Sequence, residues 1–383
     1  MRGDTRYRIA YVIGELGKGG AEYQLHELLR HLDLDAFEPR VFVLAEGGCW
    51  IDPIRRLGVT VVEVPRRGAA DVSRLTRLRA MLRDFSPHVL HTVLWSGNCY
   101  GRAAAVGLGI PVVIAAERNA IHRPRWQVMI ERMLDRVTHA YLVNCEAIAA
   151  LLVHEHGVPR SKIEVIPNGI DLARLPAFSL DRHTARVAAG LDPHRRLVAQ
   201  VGRLAPQKDY PTFLRAARMV AAELPDVDFL LVGEGSERQG LEALAARLDL
   251  GSRIRFTGLR HDVPALLAAV DVLALTSTFE GFPNVLLEAM SMGAVTVATD
   301  VGGCRELVQP QDTGLLVPPR APAAVAAAIT RVLRDHALAK RMAIAARRRV
   351  ETGFAIETMA RRTIAAYHGL LRTSLAPAAV AAA

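Results

Sequence analysis

The feature of this 383-residue chain that most constrains its fold is an alternation that runs through it twice. Short apolar, β-rich runs occur at Arg8 to Ile13, Arg40 to Leu44, Val59 to Val64, Val89 to Leu94, Val112 to Ala116, Ala140 to Val143 and Ile163 to Ile166. Helical patterns fall between most of them, as at Ala21 to Leu32, Val72 to Phe85 and Trp126 to Val137. Strands alternating with helices predict a mainly parallel, doubly wound sheet, and continuous apolar strands predict that both its faces are covered. The pattern then restarts at Leu197 to Val201. It continues through Asp228 to Val232, Ile254 to Thr257, Val272 to Thr276, Val295 to Thr299 and Leu315 to Val317. Between the two series, Asp171 to His194 carries Pro176 and Pro193 and no clear period, which reads as a linker. The expected architecture is α/β: two Rossmann-like doubly wound domains facing across a cleft, over residues 1–172 and 196–352, joined by 173–195. An amphipathic helical region closes the chain over 353–375, and the alanine-rich tail, 376–383, is expected to be disordered.

In open α/β sheets, ligands bind beyond the carboxyl ends of strands. Gly14, Gly17, Gly19 and Gly20 follow the first strand of the first series. Gly202 follows the first strand of the second series, and Gly233 and Gly235 its second. The stretch Thr278-Phe279-Glu280-Gly281-Phe282-Pro283-Asn284-Val285-Leu286-Leu287-Glu288-Ala289-Met290 adds two glutamates eight residues apart. Pro283 suits the first turn of a helix, where its missing N–H is not needed. The free N–H groups of such a helix end favour a phosphate. Glu280 would stand in the loop, and Glu288 about one and a half turns into the helix among apolar neighbours. A carboxylate so placed needs a donor such as a sugar hydroxyl. Arg203 and Lys208, five apart in a loop after a strand, supply a fork of donors and a compact charge that suit a diphosphate. A formal net charge of +9 agrees with a phosphate-rich ligand, a nucleic acid or an anionic membrane, and does not choose among them.

These elements resemble, in order, the motifs of the retaining glycosyltransferases of family 4. Gly17-Lys18-Gly19-Gly20-Ala21-Glu22 is similar to the family's N-terminal G-G-A-E loop. Ile166-Pro167-Asn168-Gly169-Ile170-Asp171 is similar to the stretch closing its first domain. Val201-Gly202-Arg203-Leu204-Ala205-Pro206-Gln207-Lys208-Asp209-Tyr210 is similar to its G-R-L-x-x-x-K loop, Glu280 to Glu288 to its E-x7-E motif, and Gly302-Gly303-Cys304-Arg305-Glu306-Leu307 to its G-G-x-x-E element. The resemblance spans nearly the whole chain. It implies the GT-B fold, a last helix crossing back to the first domain, a nucleotide-sugar donor, a sugar or lipid-linked sugar acceptor, no nucleic acid, and no metal or other cofactor. It implies donor binding by Gly19, Gly20, Gly202, Arg203, Lys208, Gly233, Arg260, Glu280, Gly281, Phe282, Asn284, Val285 and Glu288. Within that set, Glu280 is expected at the donor sugar's hydroxyls, Glu288 at the ribose and Arg203 with Lys208 at the leaving group.

One departure bears on the acceptor. Many family members carry a histidine after the fifth strand of the first domain. Here Glu117 stands in its place, followed by Arg118 and Asn119. Glu117 is expected either to take a proton from an acceptor hydroxyl, to orient Arg118, or to form a structural salt bridge. His91 and His122 are further acceptor-side candidates.

Other features narrow the reading. Asp33-Leu34-Asp35 and Asp226-Val227-Asp228 have D-x-D spacing, yet one closes a helix and the other enters a strand. Cys49, Cys99, Cys145 and Cys304 are scattered, which argues against a zinc site or a disulfide scaffold. The first apolar run, Ile9 to Ile13, is too short for a signal-peptide core, and no stretch approaches a membrane span. The expected location is the cytoplasm. Arg66, Arg67, Arg74, Arg77, Arg79 and Arg83, with Arg123, Arg125 and Trp126, offer a basic surface for the inner face of an anionic membrane. The function expected is a glycosyltransferase of cell-surface polysaccharide or glycolipid assembly. A nucleotide-sugar epimerase or hydrolase of the same fold is the alternative, followed by a non-catalytic nucleotide-binding protein. An NAD(P)-dependent oxidoreductase is disfavoured because no G-x-G-x-x-G is completed.

Overall fold

The computed structural model describes residues 6–68, 71, 73–119, 122–179 and 181–375; the tail expected to be disordered lies outside them. The chain forms two units, one made of residues up to Gly169 together with those from Ile356 onward, the other of Ile170–Ala355.

The first unit contains β1 (Tyr7–Ile13), α1 (Gly20–Arg30), β2 (Phe37–Val43), α2 (Ile51–Arg56), β3 (Thr60–Glu63), α3 (Ser73–Phe85) and β4 (Val89–Val93). It continues with α4 (Leu94–Ala105), β5 (Val112–Glu117), α5 (Arg125–Leu134), β6 (Ala140–Val143), α6 (Glu146–Leu151) and β7 (Ile163–Val165). Its sheet has the order β3-β2-β1-β4-β5-β6-β7, and every pairing is parallel. Alternate side chains of a strand point to opposite faces, so β1 feeds two cores. Ile9, Tyr11 and Ile13 pack with Leu25, Leu28 and Leu29 of α1; Ala10 and Val12 pack with Leu78, Leu82 and Ala104 of α3 and α4.

The second unit contains α7 (Arg182–Ala188), β8 (Arg196–Val201), α8 (Tyr210–Glu223), β9 (Val227–Val232), α9 (Arg238–Arg247), β10 (Ile254–Gly258) and α10 (Val263–Ala269). Then follow β11 (Val272–Leu275), α11 (Asn284–Ser291), β12 (Val295–Thr299), α12 (Cys304–Leu307), β13 (Gly314–Val317), α13 (Pro322–Arg334) and α14 (His336–Gly353). Its sheet order is β10-β9-β8-β11-β12-β13, again parallel throughout. Val198, Phe229, Phe213, Ile329 and Leu333 are fully or almost fully buried in its core.

Two local expectations change. The stretch read as a structureless linker contains α7. The Asp181 carboxylate caps it through the Thr184 N–H, and Arg186 ties it down with a salt bridge to Asp271 and a 3.1 Å bond to the Ala269 carbonyl. Short length and two flanking prolines hid this helix from the pattern. The closing helix, α15 (Ile356–Leu375), begins three residues into the expected 353–375 region and ends with it. It packs in the first unit, where Met359, Ala360, Tyr367 and Leu371 join the core that α1 covers.

Candidate functional site

A doubly wound sheet opens where successive connections leave in opposite directions. In the second unit this happens between β8, whose chain turns towards β9, and β11, whose chain turns towards β12. The loops at the carboxyl ends of those two strands are Gly202 to Asp209 and Thr276 to Pro283. They carry Gly202, Arg203, Lys208, Glu280, Gly281 and Phe282 of the expected donor-binding set, and Lys208 Nζ lies 2.5 Å from Glu280 Oε1.

Glu280 is buried, and its Oε1 also accepts a 2.6 Å bond from Ser277 Oγ. The loops are stitched together elsewhere. Thr278 N–H and Oγ1 donate to the Gln207 carbonyl at 2.8 and 3.2 Å, and Gln207 Nε2 donates to the Phe279 carbonyl at 2.9 Å. Arg203 is exposed and makes no ion pair among the described residues. The loop thus presents one cation anchored to a carboxylate and one directed to solvent.

Two glycines are required by close approach. A Cβ on Gly233 would stand 1.9 Å from the Gly202 carbonyl oxygen, and one on Gly302 would stand 1.8 Å from that of Glu280. Both have positive φ, +140° and +46°. Gly233 lets the loop after β9 lie against the Arg203 loop. Gly302, with the 2.7 Å bond from the Gly303 N–H to the Gly281 carbonyl, seats the G-G-x-x-E element against the Glu280 loop.

Helix α11 starts one residue later than expected, with Pro283 as its cap residue, so Asn284 and Val285 supply the first helical N–H groups. Phe282 is buried against Phe354, their rings 5.6 Å apart. Glu288 is half-buried on α11, and burial, with no countering charge, pushes its carboxyl up to about 7. Arg260 pairs with Asp262 at 2.5 Å in the loop after β10.

In the first unit, Gly19 is the cap residue of α1 and Gly20 its first residue. The buried Glu22 folds back over this turn, close enough that a Cβ on Gly19 would meet its Oε2 at 2.1 Å. Glu117 ends β5, buried, and forms a salt bridge with Arg123. Burial raises its carboxyl and Arg123 opposes the rise. Its Oε1 accepts the N–H groups of Arg118 and Asn119 at 3.1 and 3.3 Å, so it fixes that turn through the main chain. The Arg118 guanidinium instead donates to Asn168 Oδ1 at 2.8 Å, and burial lowers it to about 10. Glu117 is therefore engaged as a salt bridge, and it does not orient the Arg118 side chain.

Of the two histidines, His91 departs from expectation. His91 is interior: its Nδ1 lies 2.6 Å from Tyr367 Oη on α15, Tyr11 flanks its ring, and burial pushes it down to about 3. It is part of the buried polar seam beneath α15. His122 is 83% exposed and faces Glu155 at 2.5 Å. Much of the arginine cluster is also absorbed by the fold. Arg74 is buried over Tyr100, Arg77 pairs with Asp71, and Arg79 donates to the Ala104 carbonyl. The D-x-D aspartates Asp226 and Asp228 pair with Arg196 and Arg195.

Sequence reasoning missed Ser277 as the partner of Glu280 and named Arg123 only as part of a basic run. Ser277 had a signal, lying one turn-length before Glu280. The Arg123–Glu117 pair had none beyond opposite charge six residues apart.

Comparison with known proteins shows the family. A family model described as Glycosyltransferase Family 4 matches residues 18–174, and one described as Glycosyl transferases group 1 matches residues 181–349. D-inositol 3-phosphate glycosyltransferases of Salinispora tropica and Salinispora arenicola are 31% and 30% identical over 306 and 319 residues. The matches cover 73% and 76% of this chain, and 63% and 71% of those relatives, so the chain spans less than two thirds of the S. tropica protein. The UDP-Gal:alpha-D-GlcNAc-diphosphoundecaprenol alpha-1,3-galactosyltransferase of Escherichia coli is 28% identical over 261 residues, 64% of this chain and 66% of that one. Among solved structures, Anabaena Alr3699/HepE in complex with UDP and glucose superposes with a TM-score of 0.85 at 21% identity, over 95% of this chain and 100% of that one. The chain belongs to the family 4 glycosyltransferases, with the two Rossmann-like units of the GT-B fold.

Proposed function

We propose that the chain transfers a sugar from a nucleotide donor to a hydroxyl of an acceptor with retention of anomeric configuration, without a metal. The single observation that carries this reading is the Lys208–Glu280 pair at the switch point of the second sheet, with Arg203 in the same loop as Lys208. Breaking the anomeric bond concentrates negative charge on the departing diphosphate. Fixed cations and N–H groups that grip it more tightly as that charge grows lower the barrier. In this reading Arg203 and Lys208 hold the diphosphate, with the N–H groups of Phe282, Asn284 and Val285; the Gly19–Gly20 turn is the anion-binding candidate of the first unit. Glu280 accepts hydroxyls of the donor sugar and Glu288 those of the ribose. Arg118, Asn119 and His122 belong to the acceptor side, with Glu117 shaping their turn.

A uridine diphosphate sugar is the donor favoured, because Anabaena Alr3699/HepE holds UDP and also UDP-glucose. The acceptor class favoured is a sugar, phosphorylated or lipid-linked, in cell-surface glycolipid or polysaccharide assembly, as the names of the Salinispora and E. coli relatives suggest. Among the described residues no helix is long and apolar enough to cross a membrane. In this reading lipid-linked material is met from the cytoplasmic face of the membrane. Helix α5 suits that contact: Trp126, Met129 and Met133 recur at i, i+3 and i+7 and are 56, 60 and 66% exposed, with Arg125 beside them. An apolar hollow of about 270 Å³ lined by Leu75, Tyr100, Ile130 and Met133 adjoins this face.

A thermal-shift screen against UDP-, GDP- and ADP-sugars tests donor binding. The true donor at a hundredfold excess over its Kd stabilises the protein by about 2.7 kcal/mol. No shift with any of them removes the reading. Donor turnover that needs an added acceptor supports transfer, whereas conversion without one favours an epimerase or hydrolase. Equal partitioning onto neutral and anionic vesicles ends the membrane proposal.

A further inference from the structure

Two fully buried polar side chains, Gln200 and Thr276, meet beneath Lys208 and have no part in the scheme above. Gln200 lies on β8 and Thr276 directly follows β11, the neighbouring strands at the switch point. Gln200 Nε2 donates to the Lys208 carbonyl at 2.9 Å. Thr276 Oγ1 stands 3.0 Å from Gln200 Oε1, 3.0 Å from the Lys208 carbonyl and 2.9 Å from the Asp209 carbonyl. One hydroxyl with one proton therefore serves a cluster of three acceptors. Packing alone does not call for a polar pair here. Val198 and Ala274 on the same two strands are apolar members of the core.

The two side chains grip the main chain where it is least relaxed. Asp209 has φ of +44°, a region that non-glycine residues seldom occupy and that persists only when the surroundings impose it. Tyr210 Oη adds a 2.8 Å bond to the Gly202 carbonyl at the other end of the loop. The backbone at Lys208 sets the base from which its side chain reaches Glu280 Oε1. A cation held in place before the ligand arrives loses less on binding than one that must be ordered.

We propose that Gln200 and Thr276 are positioning residues: they lock the Lys208–Asp209 main chain so that Nζ already stands where the donor's diphosphate is gripped. This rests on the reading of Lys208 given above. Valine matches threonine in shape and removes the hydroxyl, leaving the Lys208 and Asp209 carbonyls without its proton. Serine restores it.

The test is calorimetric titration with UDP and, separately, with uridine, which lacks the diphosphate. The proteins are the native chain, Thr276→Val, Thr276→Ser, Gln200→Leu, Lys208→Ala and the Lys208→Ala/Thr276→Val double variant. Thr276→Val and Gln200→Leu are each expected to weaken UDP about tenfold and uridine less than about twofold, with Thr276→Ser within about threefold of native. In the Lys208→Ala background, Thr276→Val is expected to add less than about twofold, because its effect acts through the missing ammonium. Native UDP affinity in both Thr276→Val and Gln200→Leu overturns the proposal. So does equal loss for uridine and UDP, or the same loss with and without Lys208. If Lys208→Ala itself binds UDP like the native chain, the reading of Lys208 fails and this proposal fails with it. If Thr276→Val does not fold, Gln200→Leu and its Lys208→Ala double carry the same comparison.

Discussion

Lys208 Nζ and Glu280 Oε1 lie 2.5 Å apart, although 72 residues separate them in the chain. The strand order of the second sheet produces this meeting by placing β8 beside β11. Donor binding in the proposed scheme brings an anion to Lys208 and hydroxyls to Glu280, so each group exchanges its present partner for a ligand atom. Lys208→Ala is expected to lower kcat by about 10²–10³-fold, the scale for removing one preorganised group that stabilises developing charge. Steady-state kinetics on the donor identified by thermal shift measure this. An unchanged kcat removes Lys208 from the leaving-group role.

Glu288 gives a pH signature. Its folded carboxyl is raised from 4.5 to about 7, so between those values the folded state holds more protons than the unfolded state. Stability from this group is complete below about pH 4.5 and is lost as pH rises through about 7. Glu288→Gln should therefore match the native chain near pH 4.5 and exceed it above pH 7 by about 1–2 kcal/mol, allowing for partial exposure. Denaturant unfolding at pH 5 and pH 8 compares the two. Ribose hydroxyls stabilise the carboxylate form, so UDP binding near pH 6.5 should release protons in the native chain and fewer in Glu288→Gln. Calorimetry in buffers of different ionisation enthalpy counts them.

Gly302 tests the seam between the Glu280 loop and the G-G-x-x-E element. A methyl group there meets the Glu280 carbonyl oxygen at 1.8 Å, from a residue at positive φ. Gly302→Ala should cost about 2–3 kcal/mol and weaken donor binding, because the atom struck is main chain and has no rotamer of escape. Gly240→Ala, in helix α9 with open space around its would-be Cβ, is the control expected to keep or slightly raise the native Tm.

Glu117 and Arg123 form a buried pair, their side chains 5% and 8% exposed. Removing either partner leaves the other desolvated. Arg123→Met and Glu117→Gln should each cost about 3 kcal/mol, and the double variant much less than the sum. Unfolding free energies close the cycle. Additive losses would free Glu117 for a role apart from Arg123.

The two strand series were legible because buried parallel strands write themselves as unbroken apolar runs, and each run from Leu197 to Val317 found a strand in the second sheet. The loops proposed to bind the donor stood out for a different reason. Arg203, Lys208, Glu280 and Glu288 sit at local spacings that resemble the family's motifs. What stayed hidden depends on partners remote in sequence. His91 read as a candidate near a site because nothing nearby announces Tyr367, 276 residues on, as its hydrogen-bond partner. Arg74, Arg77 and Arg79 read as a basic face because their inward contacts to Tyr100, Asp71 and the Ala104 carbonyl are tertiary. Helix α7 is a short element held by Asp271 from far along the chain, and local periodicity does not encode that.

The measurement that bears most directly on the central claim is a crystal structure of the chain soaked with UDP-glucose. The account predicts the diphosphate within hydrogen-bond distance of Arg203 and Lys208 at the carboxyl ends of β8 and β11, with the ribose at Glu288. Nucleotide density elsewhere on the molecule, with none against those two loops, would contradict it.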